Sequence, residues 1–184
     1  SAYGNPQYPI LYNCFRKCPG FFTMKQYLGN DGTNNITHDL GCKPGFIAIK
    51  RIGGGTDHED WNCVWNHSYS NYQSFNDDGA AAGGSGIASE MTSTTIAISG
   101  SNPRYNANNV FYMMYIWAQG SDSDSQVFGH NDDEAVIKVG SYSGNGGANQ
   151  ITLGWEPSFL IVKNRQGGNW CLFDYVRGVI TNKT

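Results

Sequence analysis

Apolar residues along this chain come in short bursts, and none holds the three-to-four spacing of an amphipathic helix. Most bursts either alternate or are apolar throughout, the patterns of half-buried and fully covered strands. The pattern predicts strands at Ile10–Phe15, Phe21–Tyr27, Asn35–Thr37, Phe46–Lys50, Trp61–Trp65, Thr95–Ser99 and Val110–Ala118. It continues with Ala135–Tyr142, Gln150–Leu153, Phe159–Lys163 and Trp170–Asp174. Gly, Pro, Asn and Asp fill the gaps, where turns need them. The Ala- and Gly-rich stretch Asp77–Ser89 reads as a surface loop, because its glycines oppose the helix its alanines would favour.

One stretch occurs twice. "YLGNDGTNNITHDLGCKPGFIAIK" (Tyr27–Lys50) returns as "YSGNGGANQITLGWEPSFLIVK" (Tyr142–Lys163) once a gap is opened at His38-Asp39. Tyr, Gly, Asn, Gly, Asn, Ile, Thr, Leu, Gly, Pro, Phe and Lys recur in order. The similarity runs on, setting Trp61 against Trp170. "GNDG" and "GNGG" place Asn or Asp before Gly, which suits the positive φ of a tight hairpin. Ile36 or Ile151 then faces inward, and Pro44 or Pro157 starts a second turn. "FIAIK" and "FLIVK" are apolar on both faces, as strands under a second layer are. The offset, Tyr27 to Tyr142, is about 115 residues: too long for a solenoid unit and suited to a β-sandwich module.

An apolar strand precedes each copy, "ILYNCF" before the first and "VFYMMYIWA" before the second. The last strand of one module thus precedes the first strand of the next. Residues 1–17 read as the end strand of a preceding module or an N-terminal arm, and residues 18–119 as one complete β-sandwich module. Residues 120–134 read as an acidic linker, and residues 135–184 as the first half of a second module. Half a sandwich leaves an open apolar face and unpaired edges. A continuation of the chain, pseudo-symmetric pairing of the two copies, or a partner subunit would close it.

Composition supports an all-β, extracellular-type domain: 184 residues, 39% hydrophobic, 15% charged, with 24 Gly, 11 Tyr and 5 Trp. A net charge of -3 gives no attraction to nucleic acid or to an anionic membrane. The longest apolar run, Val110–Ala118, is half the length of a membrane-spanning helix. Cys14, Cys18, Cys42, Cys63 and Cys171 fit no disulfide or zinc spacing and read as free thiols, suited to folding in a reducing cytoplasm.

The segments "FRKCPGFFTMKQYLGNDG", "HDLGCKPGFIAIKR", "DWNCVW", "VFYMMYIWA", "IKVGSYSGNG…ITLGWEPSFLIVKNR" and "NWCLFDYVRG" together resemble repeated modules of tailed-phage virion proteins. Those proteins, from marine and cyanobacterial phages above all, are labelled tail fibre or tail-associated. The resemblance spans about Phe15 to Gly178 and implies concanavalin-type or jelly-roll sandwiches. It further implies a homo-oligomer, most naturally a trimer, in a virion appendage beside other virion proteins. Cys18 and Cys42 stand where small or apolar residues are expected, and the Asp122–Asp133 connector is longer and more acidic than expected.

Candidate chemistry is sparse. Asp57–Asp60 and His130–Ala135 carry carboxylates that could take Ca2+, but neither has the spacing of a calcium loop, so no cofactor is expected. Glu90, Glu156 and Asp174 could in principle supply a glycosidase pair, but no nucleophile, metalloprotease or phosphate-loop motif is present. The expectation is therefore not an enzyme. Tyr69, Asn71 and Tyr72 in one loop, and Tyr105 and Asn106 in another, are candidates for stacking and hydrogen bonding a host-surface polysaccharide. The bland reading makes the same residues ordinary packing loops. The rivals to a virion component are a capsule depolymerase and a secreted bacterial lectin.

Overall fold

The computed structural model describes residues 14–52, 61–65, 71–83, 86 and 91–175, with residues 61–65 described by their backbone. Among the described residues ten strands run in order: β1 (Phe22–Leu28), β2 (Asn34–Thr37), β3 (Pro44–Arg51), β4 (Trp61–Trp65), β5 (Asn71–Ser74), β6 (Ala82–Gly83), β7 (Thr95–Ile98), β8 (Phe111–Ala118), β9 (Phe159–Val162) and β10 (Cys171–Asp174). A 3-10 turn at Ser123–Ser125 is the one helical element among the described residues. The all-β expectation holds at this level, with every named pairing antiparallel.

β1 to β6 and β8 make the main sheet, in the order β1-β8-β3-β4-β5-β6, without β2. Its centre is β8, which arrives last in the chain and lies between β1 and β3. β8 alternates strictly, with Tyr112, Met114, Ile116 and Ala118 fully buried. β2 and β7 form a separate pair, with Ile36 opposite Ile96. Ile36, Ile96 and Ile98 meet Ile47, Ile49, Tyr112, Met114 and Ile116 in one core, together with Leu40, Met91 and Tyr105. Each such aliphatic side chain taken fully from water contributes roughly 1.5–3 kcal/mol.

The turn after β1 departs from expectation. Asp31 has φ 57°, as an Asn-Asp-Gly turn requires, yet β1 and β2 do not pair. The turn instead carries the chain out of the main sheet and over its inner face. In that position Ile36 is buried against the core, whereas beside β1 it would only extend an edge.

Two strands escaped the sequence pattern. β5 is polar ("NYQS") and β6 is two residues long, inside the expected surface loop. Both are recruited by an existing edge: β5 pairs with β4, and β6 with β5. Conversely, Ala135–Tyr142 and Gln150–Leu153 form no strand. Val139 N–H donates to Gln119 O at 2.9 Å, but among the described residues no neighbouring strand offers these segments a ladder. Ile10–Asn13 lies outside the described residues, and Cys14–Phe15 is not strand. The acidic connector packs against the turn before β1: Ser125 is fully buried, Val127 and Phe128 stand over Gly20, and Phe128 bridges Glu134. Gly120, at φ 77°, lies so close to Ile137 O that a Cβ there would stand 1.6 Å from it.

Candidate functional site

The main sheet is apolar on both faces. Pairing brings Phe22, Trp117 and Phe46 into one row, and Met24, Tyr115 and Ala48 into the next. These residues lie on the parity opposite the core residues of β8 and β3, so they form the outer face. There the rings interlock: Phe22 to Trp117 at 5.0 Å between centroids, Phe46 to Trp117 at 5.3 Å, and Phe46 to Phe75 at 5.4 Å. Phe75 continues the strip to Trp170 at 4.7 Å. Phe15 closes its other end, packing on Phe21, Phe22 and Trp117. Met24, Leu28 and Phe111 are exposed beside the strip. A contiguous apolar surface of this kind marks a contact site more often than a decorative surface.

The β9–β10 hairpin is the second apolar surface. Phe159, Leu160, Ile161, Leu172 and Phe173 are 36–41% exposed. Among the described residues, β9 pairs with β10 alone. The loop between them docks on the far end of the main sheet. Ala81 N–H donates to Arg165 O at 2.8 Å, Gly168 N–H to Asp78 O at 2.7 Å, and Trp170 Nε1–H to Ser74 O at 2.8 Å.

The residues singled out as a sugar platform fare differently from one another. Tyr69 lies outside the described residues. Asn71 and Tyr72 sit on β5, half-buried, rather than in a loop. Tyr72 lies edge-on to Tyr105 and beneath the Arg104 guanidinium. Tyr105 and Asn106 are buried, which corrects the expectation that they face solvent. The Asn106 amide is a structural cross-brace: Nδ2 donates to Gly100 O at 2.7 Å and Gly32 O at 2.8 Å, while Oδ1 accepts from Asn30 N–H at 3.3 Å. Tyr105 O accepts the Tyr27 hydroxyl at 2.6 Å. The Asn and Tyr count drew attention to them, but the Asn-Asp-Gly turn they tie down demands that chemistry.

His38, the residue after β2, is buried. Its Nδ1 accepts from Leu40 N–H at 3.3 Å, and Nε2 stands 3.2 Å from Thr92 O, which fits the tautomer with the proton on Nε2. Burial holds its pKa below the usual histidine range, against the raising influence of Thr92 O and Asp39. Asp39 is held far below the usual carboxylate range, first by Lys17, then by the Thr23 hydroxyl at 2.7 Å, with Lys25 adding to it. Cys42 is fully buried, and burial, followed by Asp122 and Asp124, pushes its thiol up to about 12. Cys14, Cys18, Cys42 and Cys171 are free; Cys42 acts as a small apolar filler, as expected for a buried thiol.

No group of three or more His, Cys, Asp or Glu among the described residues could hold a metal ion. Of the acidic clusters, Asp57–Asp60 lies outside the described residues. The described residues offer packing and stacking surfaces. The surface with the outer aromatic strip was legible only as a doubly apolar β8, whose "FYMMYIWA" has large residues at both parities.

Searches of the curated proteins and of the solved structures found no match. A family model described as "Domain of unknown function (DUF7483)" matches residues 17–184, nearly the whole chain. The chain therefore belongs to the DUF7483 family.

Proposed function

We propose that this chain is a structural component of a tailed-phage virion, a tail-fibre or tail-associated protein built of repeated β-sandwich modules. It self-assembles as a homo-oligomer, a trimer being the expected order, and host-surface glycan recognition is an accessory role on its aromatic outer face. The work is mechanical and needs no cofactor.

One observation carries the modular part. The two similar segments agree in local geometry. Asp31 and Gly146 both have positive φ, as do Gly41 and Gly154. In the first turn Asn30 Oδ1 accepts from Gly32 N–H at 2.9 Å; in the second Asn145 Oδ1 accepts from Gly147 N–H at 3.0 Å. Asn34 Nδ2 donates to Leu28 O at 2.8 Å, and Asn149 Nδ2 to Ser143 O at 2.9 Å. The hairpin registers correspond as well. β3–β4 pairs Ile49 with Asn62 and Ala48 with Cys63; β9–β10 pairs Val162 with Cys171 and Ile161 with Leu172. Those are the same pairs once the two segments are aligned. A duplicated unit accounts for all of this together.

The virion assignment is supported by the motif resemblance and by a main sheet apolar on both faces, which suits packed appendages better than a free monomer. Immunogold labelling and peptide mass spectrometry of purified phage particles, from a phage encoding this chain, test it. The chain is expected in the particle, in multiples of the oligomer. Its presence in the lysate but absence from particles would overturn the assignment.

A further inference from the structure

The two matched turns hold similar peptide chemistry under different protection. Both open on an asparagine whose side-chain oxygen takes the amide two residues on: Asn30 Oδ1 from Gly32 N–H at 2.9 Å, and Asn145 Oδ1 from Gly147 N–H at 3.0 Å. The residue between differs. In the first turn it is Asp31, whose N–H donates to Asn106 O at 3.0 Å. Asn30 is held from the same side: Asn106 Nδ2 donates to Asn30 Oδ1 at 3.3 Å, and Asn30 N–H to Asn106 Oδ1 at 3.3 Å. In the second turn the following residue is Gly146, and Asn145-Gly146 is the one Asn-Gly pair in the sequence. Both residues are exposed, and a Cβ added to Gly144 or Gly146 would meet nothing within 4 Å. The Asn145 side chain is bonded within the turn, Nδ2 donating to Ala148 O at 3.4 Å, and among the described residues no counterpart of Asn106 braces it.

We propose that Asn145 is a site of spontaneous covalent modification, closing on Gly146 to a succinimide that opens to an aspartyl or isoaspartyl residue. The Gly146 nitrogen loses its proton to hydroxide or water and attacks Asn145 Cγ. The N–Cγ bond forms, the Cγ–Nδ2 bond breaks, and Nδ2 takes up a proton and leaves as ammonia. Water then adds to either carbonyl of the five-membered ring and restores an open chain. The sequence of steps consumes one water, releases one ammonia and involves no change of oxidation state. Glycine has no Cβ to block the approach of its own nitrogen. Gly147 N–H points at the oxygen that gains negative charge as the tetrahedral adduct forms. Attack within one turn needs only a local rearrangement, and nothing packed on Gly144 or Gly146 resists it. In the first turn the corresponding nitrogen is engaged by Asn106 O, and the Asp31 side chain crowds it. Either product adds a negative charge to a chain of net charge -3 and removes the Nδ2 donor from Ala148 O. The isoaspartyl form also lengthens the backbone of the turn by one methylene.

Ageing of the purified chain tests it. The protein is held at mildly alkaline pH and body temperature, sampled daily, and digested for peptide mass spectrometry. The peptide holding Asn145 should gain the mass of an NH2-to-OH exchange and split into two chromatographic species of equal mass, aspartyl and isoaspartyl. Conversion at Asn145 should run at least about tenfold faster than at Asn30. Gly146→Asp rebuilds the Asn-Asp-Gly order of the first turn, where Asp31 already accepts a φ of 57°, and should slow conversion about tenfold. Asn145→Gln should abolish it, because the six-membered ring closes far more slowly. Conversion at Asn145 no faster than at Asn30, or undiminished by Gly146→Asp, overturns the proposal. Should Gly146→Asp disturb the fold, denaturant decides on the parent chain. Folded protein should convert Asn145 within about tenfold of its rate in denaturant, and stronger protection in the folded state overturns the proposal.

Discussion

Tyr27–Lys50 and Tyr142–Lys163 share about half of their aligned residues and stand in two different situations. Tyr27 is 8% exposed and Tyr142 53%; Ile36 is 6% and Ile151 49%. Ile47 is wholly buried, whereas its counterpart Leu160 is 36% exposed. The turns and the hairpin register nevertheless agree. Local conformation is therefore written in the segment, and burial is conferred by what arrives from elsewhere. For the first segment that is β7 and β8, which begin about 45 and 60 residues after the end of β3. The difference teaches that shared local geometry does not bring shared burial.

The sharpest way to break this comparison is to empty matched positions. Ile47→Ala should cost about 2–5 kcal/mol in urea unfolding, because it opens a cavity in a packed core. Leu160→Ala, measured at low-micromolar protein, should cost less than about 1 kcal/mol, because solvent already reaches the site. Equal costs would mean that the second segment is as buried as the first.

The cross-brace comes next. Asn106→Ala removes donors from Gly32 O and Gly100 O and leaves them buried, so a loss of about 2–3 kcal/mol is expected. The second segment has a self-contained turn, so Gly144–Asn149 amide shifts should not move in that variant.

The tyrosines give a smaller contrast. Tyr27→Phe should lose about 1 kcal/mol with the bond to Tyr105 O, and Tyr142→Phe should change stability immeasurably. A large effect at Tyr142 would place it in an interface.

The two-residue difference between the segments yields the smallest effect and a pH signature. His38-Asp39 exists only in the first. The folded state disfavours imidazolium at His38, so the unfolded chain binds the proton more readily. Stability is thus full above the ordinary histidine range, around pH 6.5, and falls as pH drops through it, levelling below the depressed folded value. Asp39 acts in a lower window: its contribution is present above about pH 4 and is lost as pH falls further, and exposure of its carboxylate keeps it modest. His38→Gln should flatten the stability profile between pH 7 and about pH 5 and leave the acid limb in place. An unchanged slope there would remove His38 as its source.

Much of this fold was legible in the text, for identifiable reasons. Alternation located β1, β3, β7, β8, β9 and β10, because a strand with a buried face must alternate or be apolar throughout. The polar β5 was not legible, because an edge offered by β4 recruits it regardless of its own pattern. Gln150–Leu153 repeats the β2 pattern yet forms no strand, since no strand among the described residues pairs with it as β7 pairs with β2. The Tyr105–Asn106 pair looked like a binding cluster because Tyr and Asn serve recognition and turn-bracing alike; only burial separates the two uses.

The residues by themselves determined the Asn-Asp-Gly and Asn-Gly-Gly turns, their positive φ positions, the hairpin register and the repetition of all three. Those depend on steric and hydrogen-bonding preferences within a few residues. The tertiary structure decided which copy is covered, that β8 takes the centre of the sheet, and that the Asn-Asp-Gly turn crosses between layers instead of closing a hairpin. Those outcomes depend on partners distant in the chain, which local preference cannot name and buried apolar area selects.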